Sequence, residues 1–180
     1  MIEQALDQLA RWLMQADAGL GLVALVGLSM SLSHLFALVA NRLTPRQVVS
    51  QLILDALVLS LALVLASLIN MLLLRAFAGA AIDPGELLAK LGPSLIPGLF
   101  YCFVAAPYIS DLIASVIWAL IHLNMITLLH VHFNVSYGQA LVLATPGFVV
   151  ALLLVVAVFH QGWQRAYRQL ASTLAPTAES

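Results

Sequence analysis

Few residues in this 180-residue chain have side chains suited to chemistry: five histidines, eight Asp and Glu together, seven Lys and Arg, and one cysteine. Four of them interrupt apolar runs. His34 follows Ser29, Ser31 and Ser33, Asp55 sits within QLILDALVL, Asp111 opens ISDLIASVIW, and His160 closes VVAVFH. An imidazole and a carboxylate in such surroundings can exchange a proton, since histidine titrates near neutral pH. A second group holds Asn70, Arg75, His122, Asn124, Thr127 and His130.

Other chemistries fail on spacing. His122 and His130 are eight residues apart, which places them about 80° apart around a helix and two turns distant, too far to chelate one metal. His130 and His132 would share a metal only in an extended segment, and no further ligand is signalled beside them. A two-histidine haem site from His34 and His122 fails on depth, by roughly 10 Å along the helix axes. Neither a His-Glu-x-x-His zinc motif nor a Gly-x-Ser-x-Gly elbow occurs. Asp55 and Asp111 lack the glycine-flanked neighbours of an intramembrane aspartyl dyad, and no glycine loop would cradle a phosphate. Cys102, alone, forms no internal disulfide and no thiolate cluster. The expectation is therefore a non-enzymatic protein with no metal and no cofactor.

The elements that must position these groups follow from composition. Hydrophobic residues make up 63% of the chain and charged residues 8%, against roughly 45–50% and about 25% in average soluble proteins. With mean hydropathy +1.05, there is too little polar surface to coat a water-soluble globule. The net charge of -1 gives no basic field for nucleic acid. The predicted fold class is all-α, a polytopic transmembrane helical bundle. A crossing needs about 20 apolar residues, and five stretches qualify: 19–40, 51–74, 86–106, 109–130 and 139–160. The third holds Lys90, Gly92, Pro93, Pro97 and Gly98. Pro93, Pro97 and Gly98 are thus a candidate helix-break site in a kinked, broken or re-entrant segment, and four crossings is the alternative count.

The connections support this division. Thr44 can cap a helix that begins at Pro45. Pro107 separates the third and fourth spans closely enough for a helical hairpin, and 134–138 forms a turn before the last span. Ile2, Leu6, Leu9 and Leu13 fall at helical spacing, so 1–16 reads as an amphipathic helix. It either lies flat at the lipid headgroups or packs on the bundle as a cap, and the interfacial placement is preferred. Its acidic residues precede any basic one, unlike a secretory signal. The transmembrane domain then covers 17–163 and a polar tail 164–180.

On this layout His34, Asp55, Asp111 and His160 share one half of the bilayer on four different helices. They form either a polar, proton-handling cluster or a set of separate interfacial groups, with the two aspartates favoured by helix N-terminal dipoles. The second, simpler reading is preferred. With five spans, Arg11, Arg75 and Lys90 lie on one side and Arg42, Arg46, Arg165 and Arg168 on the other. That small excess leans toward a cytoplasmic carboxyl terminus. Trp163 and Tyr167 beside those last arginines make an interfacial anchor.

Small residues four apart recur at Gly27/Ser31, Ala62/Ala66, Ser110/Ala114, Ser115/Ala119, Ala140/Ala144 and Gly147/Ala151. Such pairs let helices approach closely in lipid.

Over residues 87–156 the chain resembles the YIP family, polytopic proteins related to Rab/Ypt-interacting membrane proteins. The resemblance rests on Leu91-Gly92-Pro93, Pro97, Pro107, Trp118, the run Val135-Ser136-Tyr137-Gly138-Gln139-Ala140-Leu141, and Pro146. It implies a five-helix membrane domain of a kind whose bacterial members largely lack an assigned activity. Rab binding is not implied, because only a short amphipathic helix precedes the first span, where eukaryotic relatives carry a long cytosolic segment. The expected function is a scaffold, assembly factor or accessory subunit, with membrane lipids and other integral membrane proteins, or further copies of itself, as partners and no nucleic acid. The alternative is a small transporter or channel subunit built around His34, Asp55 and Asp111.

Overall fold

The computed structural model describes residues 2–13, 19–40, 43–79, 83–105 and 110–174. The side chains of residues 2, 5, 10, 12, 13, 36, 37, 40, 78 and 159–174 fall outside that description. The chain is an all-α bundle of the membrane-span type. Helix α1 covers Ile2–Leu13, α2 Leu20–Leu32, α3 Leu35–Ala40, α4 Pro45–Ala78 and α5 Pro84–Leu91. A 3₁₀-helix then occupies Gly92–Ala105, followed by α6 (Ser110–Phe133) and α7 (Tyr137–Leu174).

Four segments are long and apolar enough to cross a membrane: Pro45–Phe77, Pro84–Ala105, Ser110–Phe133 and Tyr137–Val158. The first expected span differs from its prediction. Instead of one helix over 19–40, the chain turns at Ser33–His34 and divides into α2 and α3. Neither glycine nor proline causes this. The Ser33 hydroxyl donates to the Met30 carbonyl at 2.6 Å, while the amides of Ser33 and His34 bond three residues back, to Met30 and Ser31. Side chains that satisfy the backbone locally compete with helix continuation in this way. At its far end α7 runs to Leu174, so the backbone stays helical through most of the expected tail.

Caps define the helix starts, and the one at Thr44 is the cap expected from the sequence. At α4, Thr44 and Gln47 form a reciprocal capping box with Pro45 in the first turn, and Gly79 ends the helix at φ 64°. Asp83 accepts from the amide of Glu86 at the start of α5. Before α7, Ser136 and Gln139 cap each other's amides, at 3.3 and 3.0 Å. Pro107 lies outside the described residues, but the 3₁₀-helix and α6 on either side of it pack against one another as a hairpin would.

Helix α2 and the four spanning segments close into a ring: α4 packs on α2, α2 on the 3₁₀-helix, that helix on α6, α6 on α7, and α7 back on α4. One apolar cluster draws on all five, with Val26, Leu63, Leu95, Trp118 and Val155 among its members. A second cluster fills the other end through Leu74, Leu87, Leu91, Leu128 and Ala144. The outward faces are apolar as well, with Leu61 67% and Val142 70% exposed. Water would oppose such a coat and lipid accepts it.

Small residues set the closest approaches. A Cβ on Gly27 would lie 2.2 Å from Ser60 Oγ and 2.7 Å from the Ala56 carbonyl, so α2 meets α4 nearly backbone to backbone. Gly147 does the same for α7 against Ala66 and Asn70 of α4. Helix α1 docks on the end of α6: Leu9 packs against the second cluster, and Asp7 accepts from the Tyr137 hydroxyl at 2.9 Å.

Candidate functional site

The turn at Ser33–His34 points His34 toward α4. Its Nδ1 lies 3.1 Å from Asp55 Oδ2, and Gln51 Nε2, one helical turn before Asp55, donates to Oδ1 at 2.7 Å. Asp55 is 8% exposed and His34 half-buried. Ser31 reinforces the junction by donating to the Leu52 carbonyl at 2.7 Å. A buried carboxylate held by an amide donor and an imidazole can pass a proton between Oδ2 and Nδ1 without either group leaving its place.

Two of the four residues predicted to share this half of the bundle therefore meet. Asp111 does not join them. It is exposed in the first turn of α6, where its own carbonyl accepts from Ser115 Oγ at 2.7 Å. The side chain of His160 lies outside the described residues. Gln51 belongs to the site although its role was not anticipated. Its position four residues before Asp55 is a signal that the sequence does carry.

The predicted break in the third crossing is a change of helix type. At Gly92 the α-helix tightens to a 3₁₀-helix that persists for 14 residues, whereas runs beyond 3–4 residues are uncommon. Proline explains part of it. Pro97 has no amide to offer the Ser94 carbonyl three residues back, and Asn124 Nδ2 on α6 approaches that oxygen instead, at 3.5 Å. Ser29 on α2 intervenes further along. Its hydroxyl donates to the Leu99 carbonyl at 2.8 Å and accepts from the Cys102 amide at 3.1 Å, the two groups that an i→i+3 bond joins in a 3₁₀ turn. Gly98 permits the contact: a Cβ there would lie 2.6 Å from Val26 Cγ1. Pro93, Pro97 and Gly98 thus lie in a backbone whose irregular groups are served by neighbouring helices, the condition under which such backbone is tolerated in a membrane.

Polar side chains in the other half tie helix to helix or cap. His130 Nδ1 donates to the Val135 carbonyl at 2.6 Å, and its ring stacks on Tyr137 at 3.9 Å. His122 contacts Thr145 of α7 at 3.5 Å and lies against the Phe148 ring. Trp118 Nε1 donates to the Tyr101 hydroxyl at 3.4 Å within the core. Between the two apolar clusters lies a cavity of about 30 Å³ bordered by Ser67, Asn70, Trp118 and His122. Among the described residues no three His, Cys, Asp or Glu side chains converge as a metal set would.

No protein-family model matches this chain, no curated protein matches it, and no solved structure matches it.

Proposed function

We propose that this multi-pass membrane protein is non-enzymatic and works as a scaffold, assembly factor or accessory subunit, through contacts with other membrane helices and with lipid. One observation carries the reading. The pairs Gly27/Ser31, Ala62/Ala66, Ala140/Ala144 and Gly147/Ala151 are used up inside the bundle, whereas Ser115 and Ala119 are exposed on α6. A small-xxx-small pair facing outward offers a second helix close backbone approach, the main source of helix affinity in lipid. Val116 and Leu120 extend the same helix surface. The resemblance to YIP proteins is compatible with this role, and the arginine count supports a cytoplasmic carboxyl terminus.

Cysteine cross-linking in native membranes tests the reading. In a Cys102→Ala background, Ser115→Cys and Ala119→Cys should each give a cross-linked adduct of discrete mass, and Leu61→Cys on the outer face of α4 should not. Equal labelling at all three positions, or none, would leave α6 as ordinary lipid-facing surface and remove the basis of the proposal.

A second reading has its own support in the His34–Asp55 contact at 3.1 Å. In that reading the protein is a small transporter or channel subunit, with this pair as the polar site on its pathway. Purified protein in liposomes decides the matter: unchanged proton and cation flux after His34→Ala and after Asp55→Asn would end it.

A further inference from the structure

Where α1 meets the bundle, side chains from three helices form one node. Asp7 of α1 accepts from the hydroxyl of Tyr137, at the start of α7, at 2.9 Å. The ring of His130, in the last turn of α6, stacks on Tyr137 with centroids 3.9 Å apart and turns its Nε2 toward Asp7 Oδ1 at 4.0 Å. Water reaches the node, since the side chains of His130 and Asp7 are 30% and 44% exposed.

The hydrogen-bond pattern fixes which ring nitrogen carries the hydrogen. His130 Nδ1 lies 2.6 Å from the Val135 carbonyl, which only accepts, so in the neutral ring Nδ1 is protonated and Nε2 is bare. Neutral His130 therefore shows Asp7 a lone pair, and two acceptors face each other. Turning the ring over would give up the Val135 bond. A second proton lands on Nε2, where it points at the carboxylate and converts the opposition into an ion pair. That pair exists only while α1 is docked.

We propose that His130 is a pH-sensitive latch for α1, holding the helix on the bundle when the imidazole is protonated and loosening it when the imidazole is neutral. The stabilisation is present at pH below the range in which histidine titrates and is lost as pH rises through it. The stripe of Ile2, Leu6, Leu9 and Leu13 gives the loosened helix another seat among lipid headgroups. The other charged or titratable groups on the elements around the ring are Glu3 and Arg11, one turn to either side of Asp7, Glu86 and Lys90 of α5, and His132 of α6 itself. The 3₁₀-helix adds Tyr101 and Cys102, about three turns away at the level of Trp118. Of these, His132 shares the histidine range, and its charged neighbour is Lys90 rather than Asp7.

The test is pulsed electron–electron distance spectroscopy on the full chain in lipid bilayers. Spin labels sit at Gln8→Cys, on the exposed side of α1, and Leu141→Cys, on the outer face of α7, in a Cys102→Ala background. A narrow distance reports docked α1 and a broad one the released helix. The ratio of docked to released should fall at least twofold between about pH 5.5 and about pH 8. His130→Gln, which stays polar and does not titrate, should abolish that change, and His132→Gln should keep it. A ratio that does not fall with rising pH, or a fall that survives His130→Gln or disappears in His132→Gln, would overturn the proposal. The labelled parent alone suffices for the first of these outcomes, so a variant that fails to fold leaves the proposal open to refutation.

Discussion

The hydroxyl of Ser29 donates to the main-chain carbonyl of Leu99 at 2.8 Å across 70 residues of sequence, and in doing so joins α2 to a crossing whose own hydrogen-bond pattern is incomplete. Ser29→Ala should remove this bond and the one from the Cys102 amide together, at a cost of about 1–2 kcal/mol. Reversible unfolding in detergent or by steric trapping measures it. Stability within 0.3 kcal/mol of the parent, roughly the noise of such comparisons, would mean that the backbone pairs with itself once the hydroxyl is gone.

Two glycines should differ in tolerance. Gly27→Ala places a methyl against the Ala56 carbonyl, which cannot turn away, whereas Gly98→Ala meets the tip of Val26, which can. Overpacking of this kind costs about 1–3 kcal/mol, and Gly27→Ala should fall at the upper end. Val26→Ala should recover part of the loss in Gly98→Ala and none of the loss in Gly27→Ala. Equal losses for the two glycines, with no recovery, would show that side-chain relief is not what separates them.

The contact between His34 and Asp55 should appear as coupling. Singly, His34→Ala and Asp55→Asn each disturb a buried pair, and together they should cost less than the sum by about 1–3 kcal/mol. A double-mutant cycle in unfolding free energy reads this directly. Strict additivity would mean that the two groups stand close without interacting.

At the opposite end, Tyr137→Phe removes the bond to Asp7 that anchors α1. The bundle should keep its melting temperature within a few degrees. Limited proteolysis within 2–13 should accelerate by about fivefold, the equivalent of about 1 kcal/mol. Unchanged cleavage would assign the docking to Leu9 and its apolar neighbours alone.

The sequence is informative about position along each helix and nearly silent about rotation around it. Four of the five expected crossings, the cap at Thr44, the turn before the last span and the break near Pro97 follow from apolar length, small polar residues and missing amides, all local properties. Shared depth permits the meeting of His34 with Asp55 but does not require it, and separate interfacial groups are the simpler expectation from the sequence. The outward placement of Asp111 is open in the same way, because depth cannot say whether a residue at a given level faces the ring or the lipid. The division of the first span escapes prediction for another reason: Ser33 bends the chain with a hydroxyl, where glycine or proline would have announced it. The Asn70–His122 cavity lies furthest from view, since it depends on how three helices and the 3₁₀-helix rotate against one another.

The tightened segment also alters the reach of the third crossing. Eight residues of α5 rise about 12 Å, and 14 residues at about 2.0 Å each add about 28 Å, against about 21 Å had they stayed α-helical. The crossing gains about 7 Å without an extra residue, like a spring held stretched by hooks on either side. Ser29 and Asn124 are those hooks, so the span of this rod is determined by its neighbours' side chains rather than by its residue count.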